Sequence, residues 1–341
     1  MKQTRRRFLQ FSLAAGALST LSGAALIPQN NQNSSERPVG FMLNTLGFSV
    51  FQDEVKKNFR VYHDQQQAFA DLKAGKLGCL ISSSEYLALS QPVFSLFDSI
   101  PNDMDLAKKW DWVQQNYGLI QRHYSRLGLS SEVLGLTNPI GVRLSKVNAT
   151  ELATWQDSTT PLRIGAQQAR SLWFSSMGFD VQGGRYKDNL GSQLELLRSD
   201  RLDITEAFSP STFMKLIEKK KASGRIQDDF YQNQNVFIDR HSRSANMVEV
   251  IYAAQPAADN ALLLNQVAVL KQQMQAILLQ NQEMQNEILK DLSAKYNWKV
   301  HEIPVAIQDK LQKYKGHYLR ALTQQYPDFN ALISSYRQYG A

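Results

Sequence analysis

From position 39 onward, short apolar runs alternate with stretches whose apolar residues recur at helical spacing. Residues 39–43 and 59–62 read as strands, 65–74 as a helix stopped by Gly75, and 77–81 as the next strand, running into Ser82, Ser83 and Ser84. Beyond Pro101, residues 105–127 carry Leu106, Trp110, Val113, Tyr117, Ile120 and Tyr124 at three- and four-residue steps. That is an amphipathic helix whose stripe reads as core packing. A second alternation starts near Leu134 and runs through 141–144, 162–165, a helix around 169–177, and 202–207. Residues 247–252, Met-Val-Glu-Val-Ile-Tyr, are apolar on both sides of one glutamate and read as a buried strand. Glu249 in such a strand requires a partner, because an unpaired charge in a low-dielectric interior is costly. The alternation as a whole predicts an α/β fold built on a largely parallel sheet.

Residues 258–296 contain neither Gly nor Pro, and Leu263, Val267, Leu270, Met274, Ile277, Met284, Ile288 and Leu292 mark one stripe broken only at Asn281. This predicts a single helix of about 50 Å at about 1.5 Å per residue. Such a helix is equally compatible with a link between two lobes and with a coiled-coil homodimer, and periodicity does not choose between them. Residues 304–336 read as one or two further helices.

The start of the chain bears on its destination. Thr4-Arg5-Arg6-Arg7-Phe8-Leu9-Gln10 precedes an apolar stretch over 11–27 with small residues at Ser22, Gly23, Ala24 and Ala25. This pattern predicts an export signal over 1–25, of the twin-arginine type or an ordinary secretory one, and hence a periplasmic protein. Residues 26–37 follow as a polar linker. Of the formal charge of +7, Lys2, Arg5, Arg6 and Arg7 belong to the leader, so only a mild excess of +3 remains. Apart from Lys219-Lys220-Lys221 it is spread along the chain, and nucleic acid is not an expected partner. The single Cys79 excludes an intrachain disulfide, so folding rests on core burial. His63, His123, His241, His301 and His317 show no zinc-ligand spacing. No nucleophile elbow, P-loop or dinucleotide fingerprint is present, and Gly183-Gly184 reads as a turn, so no enzyme activity is expected.

Several stretches together resemble the solute-binding receptors of TRAP transporters, in particular the branch that binds keto acids and related carboxylates. They are FADLKAGKLGCL within 68–80, Phe97-Asp98-Ser99-Ile100-Pro101 leading into the aromatic helix with Tyr117-Gly118, and Leu162-Arg163-Ile164. LRSDRLDITEAFSP over 197–210, residues 247–252 and the ending YPDFNALISSYRQYG complete the series. The resemblance covers most of the chain beyond the leader, and its specificity lies in the order of the motifs. It implies a two-lobed periplasmic binding protein fold with a long helix linking the lobes. Lobe I would comprise 38–139 and about 249–275, lobe II 140–248 and about 276–341. It also implies that a small organic acid is held between the lobes, closes them by a hinge motion, and is delivered to TRAP permease membrane subunits. An ABC-importer binding protein and a twin-arginine-exported periplasmic enzyme remain the alternatives.

The same resemblance assigns residues. Arg163 matches the family's main contact to the ligand carboxylate, a role suited to a planar guanidinium that gives two parallel hydrogen bonds. Glu206 and Glu249 match two carboxylates that hold a metal ion bridging ligand and protein, and hard oxygen ligands suit sodium or calcium. By position Tyr86, Asn138 and Thr137 are expected at the cleft, although at strand ends their identities equally fit turn chemistry. The chain departs from the pattern at Ala207, where the keto-acid branch has tryptophan and where Phe208 is expected to supply the aromatic wall. It departs again at Gly78, where an aspartate is usual, although Asp203 keeps the equivalent aspartate in the other lobe. The N-terminal strand and helix over 39–58 are also shorter than the family's.

Overall fold

The computed structural model describes residues 37–42, 59–62, 64–87, 94, 106–137, 140–166, 168–182, 190–222, 228–239, 246–253 and 261–340. In chain order the elements are β1 (Val39–Met42), β2 (Arg60–Tyr62), α1 (Gln65–Lys73), β3 (Cys79–Ser83), α2 (Leu106–Arg126), β4 (Ser130–Thr137), β5 (Gly141–Ser145) and α3 (Ala149–Ala153). Then come β6 (Arg163–Ile164), α4 (Gln168–Ser176), β7 (Asp180–Val181), α5 (Leu190–Arg198), α6 (Pro210–Ala222), β8 (Asn235–Asp239) and β9 (Asn246–Tyr252). The chain closes with α7 (Ala261–Tyr296), β10 (Lys299–Glu302), α8 (Val305–Gln325) and α9 (Pro327–Gly340). The chain divides into two compact units. The leader, the linker as far as residue 36 and Gly183-Gly184 lie outside the described residues.

The first unit takes residues up to 94, 106–137 and 246–281. Its sheet has the order β2-β1-β3-β9-β4, with β2, β1 and β3 parallel and β9 antiparallel to both its neighbours. The β3 strand is buried along its whole length, as the unbroken Cys79-Leu80-Ile81 run requires. Asp64 caps α1 by accepting from the Gln67 amide at 2.8 Å, and Gly75, at φ 70°, ends that helix in a conformation glycine adopts freely. Asp71, carried inward by α1, accepts from Tyr62 at 2.8 Å and from Lys76 at 3.0 Å, which hold its carboxyl below the usual range. On α2 the buried face is centred on Trp112, Val113, Ile120 and Tyr124, with Trp110 only half-buried. The β4–β9 register shifts between Val133 and Gly135. A Cβ at Gly135 would come within 2.5 Å of Leu278 on α7, so a bulge and a glycine together let the helix approach this strand.

The second unit takes 95–105, 138–245 and 282–341. Its sheet runs β10-β8-β5, with β10 parallel and β5 antiparallel to β8. The stretch expected as a strand over 202–207 makes single bridges instead: Ile204 to Ser145 and Ile164, and Phe208 to Val142. The reason is local. The amides of Asp203 and Ile204 both donate to the Arg163 carbonyl and that of Thr205 donates to the Leu144 carbonyl, so the segment wedges between β5 and β6 without a continuous partner on either side. A core of Trp155, Ile164, Trp173, Phe174, Phe179, Ile204, Phe237, Ile307 and Leu311 packs beside it, with Trp155 and Phe179 stacked at 5.2 Å. In α7, Val267, Met274, Met284, Ile288 and Leu292 are buried as the stripe predicts, and Leu278 joins them. Residues through Asn281 of this helix belong to the first unit and those from Gln282 to the second.

Candidate functional site

Glu206 and Glu249 are both fully buried, Glu206 in the second unit and Glu249 in the first, each within its own network. Glu249 sits mid-strand on β9 opposite Ser82 and Val133. Tyr117 donates to its Oε1 at 2.8 Å, Tyr124 donates to Oε2, and Ser131 approaches Oε1 at 3.5 Å. The two tyrosines are seven residues apart on α2, two helical turns, so both fall on the face turned toward the sheet. Burial pushes the Glu249 carboxyl up to about 7, against the opposing pull of its three hydroxyl donors. Desolvation, with the carboxylate alongside, pushes both phenols up, so they remain neutral donors.

In the second unit, β5 places Arg143, 1% exposed, at the centre of a charged cluster. Its Nε donates to Asp239 at 2.6 Å, and one terminal nitrogen donates to the carbonyls of Gly165 at 2.9 Å and Thr205 at 2.8 Å. The other reaches Glu206 Oε1 at 3.4 Å, and the guanidinium lies 4.9 Å above the Phe174 ring. Arg170, in the first turn of α4, brings its Nε to 3.6 Å from the same Glu206 oxygen. Gln193 fixes the backbone by accepting from the Glu206 amide at 2.6 Å. Gly165 permits this approach, since a Cβ there would lie 2.5 Å from the Glu206 nitrogen. Glu206 Oε2 has no hydrogen-bond partner among the described residues.

Arg163, on β6, is paired in place. Its Nε and one terminal nitrogen donate to Asp203 at 3.0 and 2.6 Å, and the other donates to the Asp200 carbonyl. The hydrogen-bonded Asp203 carboxylate raises the pKa of Arg163, and the charges of Asp200 and Asp180 add to it. Its side chain is 35% exposed, against 1% for Arg143 and 4% for Arg170. Phe208 is buried, exchanges two backbone hydrogen bonds with Val142, and meets Phe213 edge-on at 6.2 Å. The Ala207 side chain is fully buried, and its amide donates to the Glu206 carboxylate at 2.8 Å. Asn138 lies outside the described residues, and of Tyr86 and Thr137 only the backbone is described.

A metal ion fits these residues poorly. Among the described residues no three His, Cys, Asp or Glu side chains stand together as a ligand set. Glu249 is satisfied by neutral hydroxyls, and Glu206 offers one oxygen where calcium takes about six to eight. The networks around both glutamates were legible only in part. Tyr117 and Tyr124 were visible as a stripe, whereas Arg143 and Arg170 carried no spacing signal, because what joins them is the wedge at 203–208 between β5 and β6.

No family model and no curated protein sequence matches the chain. Solved structures do. A TRAP periplasmic solute-binding protein from Colwellia psychrerythraea, with bound calcium and pyruvate, is 16% identical with TM-score 0.63, over 90% of this chain and 94% of that one. One from Pseudoalteromonas atlantica, with bound sodium and pyruvate, is 14% identical with TM-score 0.61, over the same shares. A TRAP transporter solute-binding protein from Bordetella bronchiseptica, a mixed-occupancy dimer with calcium and picolinate, is 15% identical with TM-score 0.64, over 90% and 92%. The chain has the two-lobed α/β fold of the TRAP periplasmic solute-binding proteins.

Proposed function

We propose that this chain is a periplasmic solute-binding receptor that captures a small organic carboxylate and delivers it to a TRAP-type membrane permease, without catalysing a reaction. The observation that carries this reading is the match, across nine-tenths of the chain, to receptors solved with pyruvate and picolinate. The export pattern at 4–27 supports a periplasmic location. The second unit supplies suitable chemistry in Arg143, Arg163 and Arg170.

Arg163 is proposed as the anchor because it is the most accessible of the three. Its fork on Asp203 has the form that a ligand carboxylate would take, so capture there exchanges one carboxylate for another. Phe208 is proposed as an apolar wall near the Glu206 segment, with Asn138 and Tyr86 as polar contacts. The test is mass spectrometry of the small molecules released when the natively purified protein is denatured. One organic acid recovered in stoichiometric amount supports the receptor, a sugar or peptide points to another importer class, and a flavin or nicotinamide cofactor overturns the reading in favour of an enzyme.

A further inference from the structure

Two guanidiniums of the second unit approach the Glu206 carboxylate. Arg143 and Arg170 face Glu206 and Asp239, two guanidiniums against two carboxylates, all no more than 4% exposed. Buried charges are tolerated when paired in this way. A calcium or sodium ion on Glu206 would be crowded by two guanidiniums that already share its Oε1.

Arg170 is informative because of where it stands. It occupies the first turn of α4, the end of a helix at which the backbone dipole disfavours a cation. Its own helix therefore does not stabilise this buried charge, and the Glu206 carboxylate stands 3.6 Å from it. We propose that Arg170 takes at Glu206 the place a calcium or sodium ion would hold, so that the receptor binds its carboxylate without metal. This rests on the receptor reading above.

The test begins with the full chain, stripped with EDTA and exchanged into sodium-free potassium buffer. Calcium chloride alone is titrated in a calorimeter. Thermal unfolding is then followed with calcium, with sodium and with neither, each with and without pyruvate and a panel of other carboxylates. The expected result is no saturable calcium heat, one melting temperature across the three salts, and carboxylate shifts that do not depend on the salt. Arg170→Gln, which leaves Glu206 with a single guanidinium, is expected to gain a calcium-induced rise of several degrees, and Arg170→Lys is not. Should Arg170→Gln fail to fold, the wild-type titration and Arg170→Lys still decide.

One calcium bound per wild-type chain and lost in Glu206→Gln overturns the proposal, as does a carboxylate shift that requires calcium or sodium. Either outcome leaves the receptor reading intact. Silence toward both metals and every carboxylate overturns the receptor reading, and with it the metal-free capture proposed here.

Discussion

Glu249→Gln tests whether the first unit is built around a carboxyl that prefers its proton. In the folded chain this group is raised from 4.5 to about 7, chiefly by burial. The sign follows from where the proton is held more tightly. A carboxyl raised on folding contributes stability that is fully present below its unfolded value and is lost as pH rises through 7. At about 1.4 kcal/mol for each pH unit, the span from 4.5 to about 7 corresponds to about 3 kcal/mol, to order of magnitude. Glutamine keeps the shape, can accept from one tyrosine and donate to the other, and does not titrate.

Relative to wild type, the variant should therefore gain about 3 kcal/mol in stability between pH 4.5 and pH 8, whatever its offset at acid pH. Hydrogen exchange at the amides of β3, β4 and β9 reads the unit that contains Glu249 without assuming that the whole chain unfolds in one step. Parallel pH profiles for the two proteins would refute the argument, because they would mean that the carboxylate is no harder to charge in the fold than in water.

Three further outcomes are expected. Gly135→Ala brings a methyl to 2.5 Å from Leu278, and the resulting overpacking should cost roughly 1–3 kcal/mol in urea unfolding; an unchanged midpoint would show that Leu278 gives way freely. Gly165→Ala places a Cβ 2.5 Å from the backbone nitrogen of Glu206, so it should lower the melting temperature and weaken carboxylate binding together, and binding left intact would place the ligand away from this segment. Asp203→Asn should tighten carboxylate binding in a competition assay by weakening the internal competitor for Arg163, whereas unchanged affinity would move the anchor to the cluster at Glu206.

Several elements were readable from pattern because their apolar periods are clean, whereas α5, α6, β8 and β10 had no reading in the sequence. The α2 helix spans Leu106–Arg126 where 105–127 was expected, and β9 spans Asn246–Tyr252 where 247–252 was expected. The segment at 203–208 resembled a strand and became a wedge, because its amides are shared between two neighbours that no local pattern reveals. Glu249 announced a need for partners by being alone among apolar residues. Tyr117 and Tyr124, which meet that need, looked like core residues, since a phenol contributes to an apolar stripe and hides its hydroxyl there. Arg143 sits in a strand reading Gly-Val-Arg-Leu-Ser that gave no sign of Asp239, 96 positions away. Partners of this kind are set by sheet register, which a single sequence does not fix.

The most direct test of the receptor reading is thermal unfolding of the chain, refolded to remove carried-over ligand, against mono- and dicarboxylates, 2-keto acids and sugar acids. A ligand at 100 times its dissociation constant adds about 2.7 kcal/mol to stability, a rise of several degrees for units of this size. The account predicts such a rise with one carboxylate class and its loss in Arg163→Ala. A flat response across the whole panel would contradict it.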